Sequence, residues 1–225
     1  MLVAEGIGLS FADSGGKAFS VLDILRFAPE PGKMTVVSGP SGSGKSTLLY
    51  VLAGLLRPLK GIVTYDGVDI YKMPERKRDA WRRTRIGFIF QDFHLIGELS
   101  PLANATLPAT FGRAPGVRER AHALLKKLGV PAERHTIEQL SRGERQRVAV
   151  ARALAFDPPV VLADEPSASL DRAAAIDLVS VLTDMAADGR TVVVASHDPD
   201  IVAKADVRLF LQHGRLNDAR AAAAA

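Results

Sequence analysis

The sequence predicts an α/β fold in which a mostly parallel sheet carries an N-terminal antiparallel β subdomain and a helical insert. Apolar and polar residues alternate in two short segments on either side of the turn 13–16, as they do in antiparallel strands. Strand-like and helix-like segments then alternate in the first and last thirds of the chain, which is typical of parallel β/α units. The middle third instead carries apolar residues at helical spacing.

The first half of the chain contains five predicted strands, which are residues 2–11, 19–27, 34–38, 62–65 and 86–90. A glycine-rich turn leads from the third strand into a predicted helix, residues 46–56. Its apolar residues fall on one helical face and are Leu48, Leu49, Leu52 and Leu55. Residues 74–85 form a strongly basic amphipathic stretch. Such a stretch either faces solvent or lies toward anionic lipid headgroups.

The second half begins with the helical insert. Residues 102–128 show helical spacing, and a polar link at residues 133–139 leads to a further helix, residues 142–155. The remaining predicted elements are strand 160–163, helix 173–187, strand 191–195, a short helix near 198–205 and strand 207–211.

We therefore expect a single domain, residues 1–218. Its core comprises about residues 1–91 and 157–218, and its helical subdomain comprises about residues 92–156. The alanine-rich tail, residues 219–225, is left out of the fold prediction because such a run can be an added sequence.

The composition is that of a folded globular protein, since 47% of the 225 residues are hydrophobic and 24% are charged. A net charge of +4 is compatible with anionic partners but identifies none. The lack of cysteine excludes disulfides, thiolate metal sites and a cysteine nucleophile. No stretch approaches the roughly 18 to 20 apolar residues of a membrane-spanning helix, so we do not expect the chain to enter a bilayer by itself.

A phosphate-binding motif lies between the predicted strand 34–38 and the helix that follows it. Residues 39–46 fit the pattern G-x-x-x-x-G-K-[ST]. In this pattern backbone N–H groups face a polyphosphate, Lys45 supplies positive charge to its outer phosphates, and Ser46 is placed to ligate Mg²⁺. The alternative is a glycine-rich turn that only caps a helix. The residues predicted to contact nucleotide here are Gly39, Pro40, Ser41, Gly42, Ser43, Gly44, Lys45, Ser46 and Thr47.

Two acids end the apolar strand at residues 160–163. The carboxyl edge of a parallel sheet is where open α/β sheets bind ligands, so Asp164 is placed to hold Mg²⁺ through water. Glu165 is placed to act as general base on an attacking water. The alternative is a strand that ends in solvated acids before a proline turn.

The segment from Leu140 to Arg147 reads LSRGERQR, and it resembles the LSGGQ-like hallmark of the ATP-binding-cassette (ABC) family. Ser141 with Glu144 is also an ordinary capping box that opens a helix, and both interpretations can hold together. The resemblance implies an ATP-binding P-loop NTPase of the ABC ATPase type. It also implies a dimer in which Ser141 and Gly143 contact the γ-phosphate of ATP held by the partner's Lys45. Arg142 and Glu144, which are also predicted to contact the nucleotide, depart from the family's usual glycine and glutamine.

Four further positions match this family in order along the chain. The resemblance implies that Phe11 stacks on adenine, and that Gln91 reaches Mg²⁺ and the attacking water. It implies that Asp171 helps two subunits face each other, and that His197 touches the γ-phosphate as a catalytic helper beside Glu165 and Lys45. Taken singly, a phenylalanine is more often a core residue and a histidine at a strand end is more often structural.

The resemblance further implies the separate ATPase subunit of a membrane transporter. Residues 86–96 and 162–166 are similar to the lipoprotein-release and macrolide-exporter branch, which moves lipid-linked or hydrophobic cargo. We expect a homodimer bound to integral membrane permease subunits, peripheral at the cytoplasmic face of the inner membrane, without direct nucleic-acid binding. Two alternatives remain: a soluble ATPase acting on nucleic acid or ribosomes, and a nucleotide-gated clamp with little turnover.

Overall fold

The structure is a computed structural model that describes residues 1–12, 16, 18–112, 114–131, 134–168 and 170–218. Most of the predicted turn 13–16, residue 133 of the polar link, Ser169 and the alanine-rich tail lie outside the described residues. The strands are β1 (Leu2–Ala12), β2 (Ala18–Phe27), β3 (Met34–Ser38), β4 (Lys60–Tyr65), β5 (Val68–Asp69), β6 (Ile86–Ile89), β7 (Val160–Asp164), β8 (Thr191–Ala195), β9 (Val207–Gln212) and β10 (Arg215–Asp218). The α-helices are α1 (Lys45–Leu52), α2 (Glu75–Arg85), α3 (Pro101–Thr106), α4 (Val117–Lys127), α5 (Arg142–Leu154), α6 (Arg172–Ala187) and α7 (Pro199–Ala203).

The strands of the described residues form two sheets. A four-stranded antiparallel sheet has the order β2-β1-β4-β5, which confirms the predicted N-terminal antiparallel subdomain. A six-stranded sheet has the order β10-β9-β3-β8-β7-β6, in which only the edge strand β10 runs antiparallel. The predicted α/β fold with a mostly parallel sheet is therefore confirmed.

The core lies on both faces of the six-stranded sheet. Strands β7 and β8 are buried throughout, as expected for parallel strands covered on two sides. On one face α1 packs between this sheet and the antiparallel sheet, and on the other face α6 supplies the fully buried Leu182. This packing brings the carboxyl ends of β3, β7 and β8 together at one edge of the sheet.

The helical insert is more interrupted than its sequence periodicity predicts. Residues 102–128 do not form one continuous helical run, because a 3₁₀ turn (Leu107–Phe111) and a loop separate α3 from α4. Pro108 lacks an amide proton for an α-helical hydrogen bond, and Gly116 takes a positive φ of 73° before α4 begins. A third apolar cluster, which includes Ala121, Leu125 and Val148, packs α3 and α4 against α5.

Sequence periodicity missed two short strands and misplaced one helix end. Strands β5 and β10 each close a two-residue hairpin, at Asp66-Gly67 and at His213-Gly214, where all four residues have positive φ. An Asp-Gly pair between apolar runs is a recognised hairpin signal, so β5 was predictable. Helix α1 ends at Leu52 because Gly54 takes a φ of 68°, and residues 53–56 are turn rather than helix. Among the described residues no helix is long and apolar enough to cross a membrane.

Candidate nucleotide-binding site

The glycine-rich loop follows β3 at the centre of the six-stranded sheet and leads directly into α1. Gly39 has a φ of 147°, and a side chain there would collide with the backbone carbonyl of Leu211. Gly44 has a φ of 102°, and a Cβ there would lie 2.7 Å from the carbonyl oxygen of Val21. The loop therefore requires glycine at both positions for its curvature and for its close packing on neighbouring strands.

Lys45 is the first residue of α1, and its ammonium group points back across the loop. Its Nζ donates hydrogen bonds to the carbonyl oxygens of Gly39 at 2.9 Å and Pro40 at 3.1 Å. The side chain is only 9% exposed. Its nearest acid is Glu165, with 3.9 Å between Nζ and Oε1. Thus the loop holds a buried positive charge at its centre, as an anion-binding loop requires.

Asp164, the last residue of β7, faces the start of α1. The hydroxyl of Ser46 donates to Asp164 Oδ1 at 2.9 Å. Burial raises the pKa of the Asp164 carboxyl, and the hydrogen bond from Ser46 opposes this shift. A hydroxyl and a carboxylate are the hard oxygen donors that Mg²⁺ prefers, and a cation would offset the cost of burying this carboxylate. The donor set therefore fits Mg²⁺.

Glu165 is presented by a strained backbone. Its φ is 40°, a left-handed conformation that costs a residue other than glycine on the order of 1–3 kcal/mol. Its N–H donates to the carbonyl of Ala195 at the end of β8, at 2.8 Å. Strain of this kind persists where the surrounding structure enforces it and clusters at functional sites.

His197, which follows β8, lies beside this acid. Its Nδ1 is 3.0 Å from Glu165 Oε1, and 76% of the histidine side chain is exposed. The structure thus brings together Lys45, Ser46, Asp164, Glu165 and His197, which lie far apart in the sequence. Hereafter we call these five residues the polar cluster.

Two other predicted site residues, Phe11 and Gln91, are exposed on the protein surface. Phe11, near the end of β1, is 42% exposed and pairs across the hairpin with Phe19, whose ring centroid is 6.4 Å away. Gln91 is exposed in the turn that follows β6. Phe11 is therefore not a core residue, and an exposed aromatic ring of this kind is available for stacking on a base.

Ser141 and its neighbours form a second group at the start of α5. The Ser141 hydroxyl accepts from the Glu144 N–H at 3.3 Å, and Glu144 Oε2 accepts from the Ser141 N–H at 2.7 Å. The predicted capping box is therefore present. Asp171 caps α6 by accepting from Ala174 N at 2.8 Å, and a Cβ on Gly143 would lie 3.6 Å from the Ala174 side chain. Two helix N-termini thus lie side by side.

Arg142 makes a contact that the sequence did not indicate. Its guanidinium lies 5.8 Å from the ring centre of Phe93, in the segment that follows Gln91. Arg152, ten residues further along α5, donates to the carbonyl oxygens of Phe93 at 2.5 Å and His94 at 2.6 Å. Both Phe93 and His94 have positive φ. Helix α5 therefore holds a strained segment directly after Gln91.

Sequence reasoning also missed residues that surround Glu165. The Gln146 side chain donates to the carbonyl of Pro166 at 2.9 Å, and the Ser167 hydroxyl donates to Asp198 Oδ2 at 2.6 Å. Asp198 precedes Pro199, a combination typical of a helix N-terminus, so its capping role was recognisable. Its bond to Ser167 depends on the tertiary fold.

We expect Glu144→Gln to lower stability at neutral pH. Hydrogen bonds from Ser141, chiefly from its backbone N–H, hold the pKa of Glu144 below its ordinary value of 4.5. The stabilising contribution of the charged form is therefore complete above pH 4.5 and disappears as the pH falls through the lower pKa of the folded protein. A weakened helix cap costs about 0.5–1 kcal/mol.

Urea unfolding of the two proteins at several pH values measures this effect. The stability difference should be largest near pH 7 and should shrink in acid. A matched control is Glu119→Gln, which alters an acid in the first turn of α4. An equal difference at every pH would contradict the charged capping box.

The fold and the glycine-rich phosphate loop beside the polar cluster are those of a nucleotide-binding ATPase. The sequence pattern of the ABC transporter family matches residues 22–168 of the chain. The chain therefore belongs to the ABC transporter family and is one of its ATPases.

Individual relatives support the same assignment. The chain is 41% identical to the lipoprotein-releasing system ATP-binding protein LolD of Bordetella pertussis over 219 residues, which cover 96% of this chain and 94% of that protein. It is 39% identical over 207 residues to the macrolide export ATP-binding/permease protein MacB of Rhodospirillum rubrum, covering 91% of this chain and 32% of that longer protein. A dimeric structure of the bacterial ABC transporter cassette MJ0796 superposes with a TM-score of 0.87 at 33% identity, covering 97% and 98% of the two chains.

Proposed function

We propose that this ATPase is a transporter motor in which the polar cluster binds and hydrolyses Mg²⁺-ATP. The observation that carries the proposal is the position of Glu165. Its Oε1 atom lies 3.0 Å from His197 Nδ1 and 3.9 Å from Lys45 Nζ, next to the hydrogen-bonded pair Ser46 and Asp164. Base, phosphate-binding charge and metal-binding oxygens therefore meet in one place. The division into a core and a helical subdomain remains a prediction.

Each side chain has a role that its position supports. Lys45 exchanges its carbonyl partners for oxygens of the outer phosphates, while the glycine loop surrounds the phosphates with N–H groups. Glu165 accepts a proton from the attacking water, and His197 orients the carboxylate and reaches toward the γ-phosphate. Ser46 and Asp164, with Gln91 from the adjacent turn, would hold Mg²⁺. The bound ion supplies positive charge to the phosphate oxygens during hydrolysis.

The second group, at the start of α5, is proposed to complete the site of another copy of the chain. Helix α5 has 13 residues, so its N-terminus attracts anions, and Ser141 and Gly143 are exposed or partly exposed there. Asp171 lies on the neighbouring helix end. The dimeric structure of the similar MJ0796 cassette supports this arrangement. Two ATP molecules would then lie between two chains.

A large groove on the chain supports a membrane partner. It encloses about 1090 Å³ between α2, β6 and the helical insert. Its lining includes aromatic residues Phe88, Phe90 and Phe111, and basic residues Arg76 and Lys77. An amphipathic helix with acidic residues fits such a surface. We propose that an integral membrane permease places this helix in the groove, with the motor at the cytoplasmic face of the membrane.

The cargo proposal rests on relatives and not on the groove. Similarity to LolD and MacB supports export or extraction of lipid-linked or hydrophobic cargo. Arg76 and Lys77 could instead contact anionic lipid headgroups beside the partner.

The test is affinity purification from detergent-solubilised membranes, with identification of the retained proteins by mass spectrometry. We expect an integral membrane subunit to copurify with the parent chain. The double variant Arg76→Glu and Lys77→Glu should lose that subunit while retaining basal ATP hydrolysis. The matched control is Arg118→Glu with Lys126→Glu, which reverses two exposed charges on α4. Nucleic-acid-stimulated hydrolysis without any membrane protein would instead favour the soluble ATPase.

A further inference from the structure

A side-chain hydrogen bond between Ser167 and Asp198 joins the turn after Glu165 to the turn that carries His197. The Ser167 hydroxyl donates to Asp198 Oδ2 at 2.6 Å, and Ser167 is only 7% exposed. A hydroxyl bonded to a carboxylate at this length makes a charge-assisted hydrogen bond, which is stronger than one between neutral groups. Because water reaches Ser167 poorly, breaking this bond would leave its hydroxyl unpaired.

The Asp198 side of this bond is fixed by its own turn. Asp198 Oδ1 accepts from the N–H of Asp200 at 2.9 Å and so caps α7. The N–H of Asp198 donates to the hydroxyl of Ser196 at 3.1 Å. The bond between Ser196 and Asp198 spans His197, and the bond between Asp198 and Asp200 fixes the residues that follow, so together they fix the turn that presents the imidazole ring. A shift of the Asp198 carboxylate therefore shifts His197.

The Ser167 side is fixed by the strained backbone at Glu165. The N–H of Ala168 donates to the Glu165 carbonyl at 3.2 Å, so residues 165–168 form a tight turn. The start of this turn is bonded to the end of β8 through the Glu165 N–H and the Ala195 carbonyl. The hydrogen bond from Ser167 to Asp198 holds the same turn at a second point, two residues after Glu165. Two tertiary hydrogen bonds, one from the Glu165 N–H and one from the Ser167 hydroxyl, therefore hold Glu165 in its left-handed conformation.

We propose that Ser167 and Asp198 are positioning residues that hold the Glu165 carboxylate and the His197 ring in their reactive arrangement. Neither residue needs to touch ATP or the attacking water, because both act through the turns that carry the base and its helper. This inference rests on the proposed hydrolytic role of the polar cluster. Small displacements of a catalytic group are costly in rate, while substrate binding by other residues is retained.

The decisive variant is Ser167→Ala, measured by steady-state ATP hydrolysis. We expect kcat to fall about tenfold, with the KM for ATP changed by less than about twofold. Ser167→Thr keeps a hydroxyl and should restore most of the lost kcat. The matched control Ser180→Ala removes a hydroxyl from an exposed position on α6 and should leave both constants unchanged.

Combining Ser167→Ala with His197→Ala in one protein distinguishes a positioning role of Ser167 from a general effect on stability. If Ser167 acts through the arrangement of Glu165 with His197, its removal should cost much less in the His197→Ala protein than in the parent. The inference would be overturned if Ser167→Ala lowered kcat by the same factor in the parent and in the His197→Ala protein. It would also be overturned if Ser167→Ala raised KM and left kcat unchanged. Thermal unfolding and fluorescent-ATP binding of each variant establish that it is folded and binds nucleotide.

The inference and the proposed function can fail separately. A parent protein that does not hydrolyse ATP in a manner dependent on Glu165 would overturn the proposed function. An active, Glu165-dependent parent whose Ser167→Ala variant has normal kcat would overturn only the positioning role.

Discussion

Replacing Glu165 with glutamine is expected to lower kcat for ATP hydrolysis by about 100-fold or more while leaving ATP binding intact. Glutamine has nearly the same shape but cannot accept the proton of the attacking water, and general bases contribute about 10²- to 10⁴-fold. Lys45, Ser46 and Asp164 remain in place to bind the nucleotide. The variant should therefore accumulate as an ATP-bound dimer, because hydrolysis no longer releases the two chains.

Phosphate release measures kcat, and size-exclusion chromatography with ATP measures dimer formation. Glu30→Gln is a suitable control, since Glu30 is an exposed surface acid paired with Lys33. Hydrolysis that is slow in the parent and unchanged in Glu165→Gln, with ATP-dependent dimerisation retained, would support the nucleotide-gated clamp and contradict the assignment of Glu165 as base.

Lys45→Ala is expected to impair nucleotide binding, the step that precedes hydrolysis. The variant loses the buried ammonium that faces the phosphate loop, together with its bonds to Gly39 and Pro40. Loss of one partner from a buried charged contact costs about 2–5 kcal/mol, so the Kd for ATP should rise by about 30-fold or more. Hydrolysis should be lost at ATP concentrations that saturate the parent.

Isothermal titration calorimetry with ATP measures this change, and circular dichroism establishes that the variant is folded. Lys204→Ala removes an exposed lysine at the end of α7 and serves as the matched control. Unchanged ATP affinity in Lys45→Ala would show that the loop does not bind the phosphates in the proposed way.

The parts of the site that sequence predicted well are those whose geometry is local. The phosphate loop lies between a strand and a helix, and its glycines indicate the positive φ angles found at Gly39 and Gly44. Asp164 and Glu165 end an apolar strand, so their place at the sheet edge followed from the alternation of strands and helices. The capping box could be predicted from the spacing of three residues between Ser141 and Glu144 alone.

The remaining features depend on contacts between distant segments. Ser167 and Asp198 are separated by 31 positions, and no periodicity relates them. The direction of Arg142 toward Phe93 depends on how the helical insert folds back over β6. The break between α3 and α4 has a local cause in Pro108 and Gly116, but helical spacing on both sides concealed it.

Helix α5 has a mechanical consequence that extends beyond one nucleotide site. It is about 20 Å long, at 1.5 Å for each of its 13 residues. Its N-terminus carries Ser141, its middle is bonded to Pro166 through Gln146, and Arg152 near its far end is bonded to the segment after Gln91. A tilt of this one helix therefore displaces three functional regions simultaneously. The proposed dimer contact and the groove proposed for the membrane partner are therefore coupled mechanically through a single rigid helix, which need not unfold.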